Sequence, residues 1–306
     1  MAPSTPHPRP GADRARHRAL RAARAVRSAL RSLPLVAAAG LGATGLLAAL
    51  PAAPAAASSS GGPYYVAIGA SESVGVQPLA ADHRGVRTDD GYANDLVAME
   101  QGRWPGLQLV DLGCPGITAQ GALDGVGRCR YPYGSQVDTA IRFIEDHPGE
   151  IAFVTVDLGF NDVWPCLVHE RVDNRCVATA LARVGAALPE ILAALRTAGG
   201  PHLRIVGLQH ADPYIADAHF GKTAFARATV PVFDRLNDLL SADYATAGAA
   251  VAQVPEPQGL AGDVVEAACA QTWMCRYHNI HPTAAGYRVI AGAIASALAR
   301  GPHPAG

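Results

Sequence analysis

Lysine is almost missing from this chain: among 306 residues Lys222 stands alone, and the rest of the positive charge is arginine and histidine. Charge of every kind is sparse at 17%, and the net charge is −1, so no basic surface argues for nucleic acid. Aromatics are few at 6%, yet hydrophobic residues reach 49%, too many for a chain disordered throughout. No C-x-x-C pair occurs, so nothing supports a thiolate zinc site. No internal repeat, collagen period or heptad pattern is present. The length suits one domain of about 250 residues with a full core.

What is there is unevenly spread. Residues 1–34 carry Arg9, Arg14, Arg16, Arg18, Arg21, Arg24, Arg27 and Arg31 against the single acid Asp13. An apolar run of 16 residues, 35–50, follows, and then an alanine-rich stretch ends Ala55-Ala56-Ala57-Ser58. A basic region, a short apolar region and an A-x-A site predict a secretory signal peptide, residues 1–57, cleaved after Ala57. A membrane anchor is the competing reading, but the run falls short of the roughly 20 apolar residues that a span needs. With no Arg-Arg pair ahead of the run, the general secretory route is favoured over the twin-arginine one. Residues 58–306 then form the mature domain, with 17 basic against 25 acidic side chains and a net charge of −8.

All six cysteines fall in that domain, and an even count in an exported chain implies disulfides. They form three local couples, and neighbour pairing is adopted: Cys114 with Cys129, Cys166 with Cys176, Cys269 with Cys275. Each couple lies in a stretch rich in Gly, Pro or polar residues, so the bridges should staple loops. Trp164 and Trp273 beside two of the couples read as packing for those staples.

Five β-rich runs alternate with helical patterns. Strands are predicted over 64–68, 107–111, 151–157, 203–208 and 249–254, and helices over 91–101, 136–146, 178–198, 225–247 and 284–300. Several strands are almost continuously apolar, as in Ile-Ala-Phe-Val-Thr-Val, which fits a parallel sheet covered by helices on both faces. The alternation predicts a three-layer α/β/α domain. The tail 301–306 should fray.

In such a sheet ligands bind beyond the carboxyl ends of the strands. The first strand runs into Gly69-Ala70-Ser71-Glu72-Ser73, the second into Gly113-Cys114-Pro115-Gly116-Ile117-Thr118, and the third into Gly159-Phe160-Asn161-Asp162. The loop ahead of the last helix reads His278-Asn279-Ile280-His281-Pro282-Thr283. A hydroxyl, a glycine turn, an amide and an imidazole thus meet at one edge, the constellation of acyl transfer. A serine is a weak nucleophile until a base takes its proton, and His281 is the best base. The Ser71 N–H, the Gly116 N–H and the Asn161 amide are candidate donors to an oxyanion. Each piece also has a plain reading: a turn at Ser71, an Asx turn at Asn161, a helix cap at Thr283.

Gly69-x-Ser71, Gly116, Gly159-x-Asn161-Asp162 and His281-Pro282 follow in order the four sequence blocks of the SGNH (GDSL-type) hydrolases. The chain resembles that family from about Tyr64 to Leu298, and is most similar to secreted three-disulfide esterases and lipases of actinobacteria. The resemblance implies a flavodoxin-like, five-stranded parallel sheet in the order 2-1-3-4-5. It assigns Ser71 as nucleophile, Ser71, Gly116 and Asn161 as oxyanion hole, and His281 as base.

Two departures stand out. Ala70 replaces the aspartate before the serine, and His278 replaces the acid three residues before the base. The candidates to orient His281 are therefore a main-chain carbonyl of the Cys269–Cys275 loop (at Thr272 or Trp273), then Asn279 or a distant carboxylate such as Asp162, and last His278. A His278/His281 metal site lacks a third ligand. Asp212-Pro213-Tyr214 is expected to shape an acyl pocket, and His169 and His210 read as surface or hydrogen-bonded histidines. The expected activity is that of a secreted carboxylic ester hydrolase. It needs no cofactor or metal, acts on small-molecule or lipid esters without a nucleic-acid partner, keeps no membrane span once the signal is removed, and works as a monomer. An acyltransferase or carbohydrate deacetylase using the same site, and a non-catalytic lipid- or glycan-binding relative, remain as alternatives.

Overall fold

The computed structural model describes residues 62–78, 85–255 and 260–301. The expected signal peptide, 1–57, and all of the tail beyond Gly301 lie outside them.

Five strands, β1 (Tyr64–Ile68), β2 (Gln108–Asp111), β3 (Ile151–Val156), β4 (Ile205–Leu208) and β5 (Ala250–Ala252), form one parallel sheet in the order β2-β1-β3-β4-β5. This is the order that the family resemblance implies. The helices are α1 (Tyr92–Glu100), α2 (Ala119–Asp124), α3 (Gln136–Asp146), α4 (Asn174–Gly199), α5 (Thr223–Thr246), α6 (Gly262–Gln271) and α7 (Ala284–Arg300). Short helical turns at Phe160–Val163 and Met274–Tyr277, a 3-10 segment Pro213–Phe220, and a small antiparallel ribbon of Leu167–Val168 with Arg171–Val172 fill the connections.

Strand residues alternate between two cores. Val66, Ile68, Val154 and Val156 face the layer of α3, α4 and α5, while Tyr65, Ala67 and Phe153 face α1 and α7. Each large apolar side chain so buried contributes roughly 1.5–3 kcal/mol. The helices start where a short polar side chain can take a free N–H: Ser135 caps α3, Asp173 caps α4 and Thr283 caps α7. Helix α4 is long and apolar enough to cross a membrane by length and composition. Here its Val184, Leu188, Ile191, Leu192 and Leu195 are packed into the core.

The three disulfides join Cys114 to Cys129, Cys166 to Cys176 and Cys269 to Cys275, with Cα–Cα separations of 5.9, 5.4 and 5.2 Å. Differences from the sequence expectation sit mostly at element ends. Strands β3, β4 and β5 are shorter than their apolar runs. Asp157, Leu203, Arg204, Ala249, Gln253 and Val254 lie beyond the paired register of these strands. Helices α2 and α6 have no counterpart among the expected helices, because each is short and rich in Ala and Gly, so neither shows a clear apolar stripe.

Candidate functional site

The carboxyl ends of β1 and β3 open into a pocket walled by Ala70, Ser71, Glu72, Asp157, Leu158, Gly159, Phe160, Asn161, Ile280 and His281. Three residues singled out from sequence, Ser71, Asn161 and His281, therefore share one cavity although they come from three distant segments.

Ser71, separated from the end of β1 by two residues, opens a hydrogen-bonded turn in which the Val76 N–H donates to the Ser71 carbonyl at 3.0 Å. This segment is a turn and not a helix. Gln136, fully buried at the start of α3, holds it from below: its side-chain amide donates to the Gly69 carbonyl at 2.8 Å and the Leu112 carbonyl at 2.7 Å. One side chain thus ties together the loops that leave β1 and β2. From the other face of the sheet, the Tyr287 hydroxyl donates to the Val76 carbonyl at 2.7 Å.

Gly159 has φ +114°, a conformation that only glycine adopts without strain, and it turns the chain so that Asn161 faces the pocket. The Asn161 amide donates to the Ile117 carbonyl at 3.0 Å, and next to it an Asp162 oxygen accepts from the Ala119 N–H at 2.9 Å. Burial pushes the Asp162 carboxyl up to about 6, against the opposing pull of that N–H. Gly116 lies in the loop so clamped. It has φ +81° and follows Pro115 in a turn closed by the Ile117 N–H on the Cys114 carbonyl at 3.1 Å, the geometry of a type II turn. Gly116 is exposed and does not line the Ser71 pocket itself.

The base candidate has a partner that the sequence ranks second. His281 Nδ1 lies 2.7 Å from Asn279 Oδ1, and the same oxygen accepts the His281 main-chain N–H at 2.9 Å. Because a main-chain N–H can only donate, that atom is the amide oxygen, and the ring proton therefore sits on Nδ1. Nε2 is left as the basic nitrogen. The first-ranked carbonyl acts one step back: the Trp273 carbonyl accepts the Asn279 N–H at 3.4 Å, while the Trp273 N–H donates to the His281 carbonyl at 2.9 Å. Thr272 pairs with Pro282 in an isolated antiparallel bridge. His278 is removed from the site. It sits in the left-handed region at φ 50°, is exposed, and packs its ring 4.7 Å from that of Phe220. Asp162 is likewise engaged elsewhere. Burial lowers the His281 pKa to about 4, so the ring is neutral near pH 7.

Other expectations fare differently. Asp212 caps the 3-10 segment, accepting from the Tyr214 N–H at 2.9 Å and the Thr229 hydroxyl at 2.6 Å. With Pro213 it walls a second, mostly apolar cavity that shares Glu72, Phe160 and Ile280 with the Ser71 pocket. Trp164 is 45% exposed and does not serve as buried packing. His169 is exposed at the tip of the small ribbon, as expected. His210 is neither exposed nor fully hydrogen-bonded: it is 4% exposed, and its Nδ1 has no hydrogen-bond partner.

A serine, an asparagine and a histidine gathered at the carboxyl edge of a 2-1-3-4-5 parallel sheet define a hydrolase of the SGNH type. Residues 67–289 match the GDSL-like Lipase/Acylhydrolase family, and the chain belongs to that family. Among curated proteins no relative matches by sequence. Among solved structures, the extracellular lipase of Streptomyces rimosus is similar at 17% identity and a TM-score of 0.50, covering 77% of this chain and 99% of that one. A catalytic mutant of an acetylxylan esterase from Geobacillus stearothermophilus is similar at 15% identity and a TM-score of 0.50, covering 78% and 94%. The phospholipase A1 of Streptomyces albidoflavus has 20% identity and a TM-score of 0.49, covering 77% and 99%. Identities this low speak for the fold alone.

Proposed function

We propose that the protein is an exported serine ester hydrolase. His281 Nε2 takes the Ser71 proton, Ser71 Oγ attacks the ester carbonyl, and the alcohol leaves with the proton from His281. Water activated by the same nitrogen then releases the acid from the acyl-enzyme. The Ser71 N–H and the second proton of the Asn161 amide serve the oxyanion, since an amide has two and Ile117 engages one, while Gly116, outside the pocket walls, takes no part. Asn279 fixes the tautomer in place of a carboxylate. The observation that carries this reading is the meeting of Ser71, Asn161 and His281 in one pocket, with His281 Nδ1 held by a neutral oxygen.

The neighbouring cavity, with Phe160, Ala211, Pro213, Ile215, Ile280 and Ile290 in its walls, suits a short-to-medium acyl chain. Export rests on the N-terminal pattern together with three disulfides, which persist in oxidising surroundings. Hydrolysis of p-nitrophenyl esters from acetate to palmitate tests the proposal, with labelling of Ser71 by a fluorophosphonate. Activity that disappears in Ser71→Ala is expected. A folded protein inert on every ester and unlabelled at Ser71 would hand the case to the lipid- or glycan-binding reading.

A further inference from the structure

Behind the nucleophile turn lies a polar cluster that ester cleavage leaves unused. Glu72 directly follows Ser71, Asp157 directly follows β3, and His210 lies just beyond β4. Asp157 is 1% exposed and His210 4%. His210 Nε2 lies 3.1 Å from the Leu158 carbonyl, which can only accept, so Nε2 carries the ring proton. In the neutral ring Nδ1 is then a bare lone pair, buried and without a hydrogen-bond partner. It faces Glu72 Oε2 at 3.9 Å and Asp157 Oδ1 at 3.8 Å.

The unpartnered ring nitrogen and two carboxyl groups therefore converge on one largely buried point, and a buried polar atom left without a partner is an arrangement that proteins avoid unless something sits between. Both distances are too long for a hydrogen bond, so a proton on Nδ1 bridges neither carboxylate. They fit ligands of one ion: donors about 2.0–2.3 Å from a shared metal stand roughly 3–4 Å apart.

We propose that Glu72, Asp157 and His210 bind a divalent transition-metal ion behind Ser71, with Zn²⁺ and Mn²⁺ matching the mixed nitrogen and oxygen donors. The His210 ring is oriented by its Nε2–H on Leu158, as a metal-bound imidazole requires. Its backbone is pinned on both sides by Asn237, which accepts the His210 N–H at 2.8 Å and donates to the His210 carbonyl at 2.9 Å. Glu72 and Asp157 also wall the Ser71 pocket, which gives the ion an entry path and room for a water ligand. Asp157 also packs closely against Gly69 just ahead of the serine, so a held ion braces the turn that presents it.

The test reads metal content and does not depend on esterase activity. Purified protein is stripped with a chelator, dialysed against Zn²⁺ or Mn²⁺ alone, and assayed by elemental analysis, with Co²⁺ absorption reporting the donor set. One ion per chain is expected in the wild type, in Ser71→Ala and in His219→Ala. The last is a control, because His219 lies beside Cys269 and Cys275, whose sulfurs are bonded to each other. At least a tenfold weaker affinity is expected in His210→Ala, Asp157→Asn and Glu72→Gln, with circular dichroism checking that each folds. Should the buried-site variants not fold, half-buried Glu72→Gln carries the test. Absence of uptake by the wild type, equal uptake by wild type and Glu72→Gln, or an Nδ1-protonated His210 in metal-saturated protein would overturn the proposal.

Discussion

The two histidines nearest the ester pocket are furnished in opposite ways. His281 has its Nδ1 bonded to a neutral amide oxygen and no carboxylate beside it, whereas His210 has two carboxylates within 4 Å of its Nδ1 and no hydrogen bond there. Both rings are largely removed from water. The first arrangement fixes a tautomer without favouring the charged ring, and so keeps a base ready. The second gathers two acid side chains around an unpartnered ring nitrogen, the donor set of the proposed cation site. Dehydration is common to both; the neighbours decide what each ring can do.

The comparison breaks most sharply at the reacting groups. Ser71→Ala and His281→Ala should each lower kcat by about 10⁴–10⁶-fold while leaving the fold intact, as read by ester hydrolysis and circular dichroism. Asn161→Ala should cost about 10²–10³ in kcat with little change in KM. An unchanged kcat would remove Asn161 from the oxyanion hole.

Asn279 sharpens the contrast further. Asn279→Ala should lower kcat by about 10²-fold, the lower end of what a positioned base supplies. Asn279→Asp gives His281 the charge that it lacks, raises its pKa, and should move the acid limb of the kcat/KM profile to higher pH. A limb that stays near pH 4 would mean that the carboxylate does not reach the ring. The same ring affects stability. Its folded pKa, about 4, is below the unfolded value of 6.5, so between these values the unfolded chain binds more protons. That contribution is present above pH 6.5 and lost as pH falls toward 4. Thermal melts of wild type and His281→Gln across this window should therefore diverge, since Asp162, whose raised pKa acts in the opposite sense, is common to both.

Smaller effects follow at the loop that carries the base. Replacing Cys269 and Cys275 with alanine opens a short loop and should cost about 2 kcal/mol, seen as a lower melting temperature. His278→Ala should change stability by less than about 0.5 kcal/mol and leave the pH profile where it is. A changed profile would return His278 to the site.

Much of this molecule is legible in its sequence because the signals are local. Helices α3 and α7 match their expected bounds, since a polar cap and a clear apolar stripe mark them. Strand ends are overrun because apolar residues continue past the point where a neighbour stops pairing, as at Leu203. Within the site, Ser71, Asn161 and His281 announce themselves by the glycines and proline around them. Asn279 is within view, but a side-chain amide and a main-chain carbonyl offer the same oxygen, and only the folded loop chooses between them. Gln136 and the Glu72–Asp157–His210 cluster are illegible: their partners are far away in sequence, and no spacing records a contact made through the sheet.

Asn161 and Asp162 each hold the loop after β2 by one bond, to Ile117 and to Ala119. For anyone redesigning this scaffold, those two adjacent grips set where change is tolerated. Adding or removing a residue between Leu112 and Ala119 would drag the amide with it, so new binding loops cannot be grafted there without losing catalysis. The ribbon tip at His169 and Glu170 is exposed and outside the pocket walls, and is the better point at which to splice in a reporter or a targeting peptide.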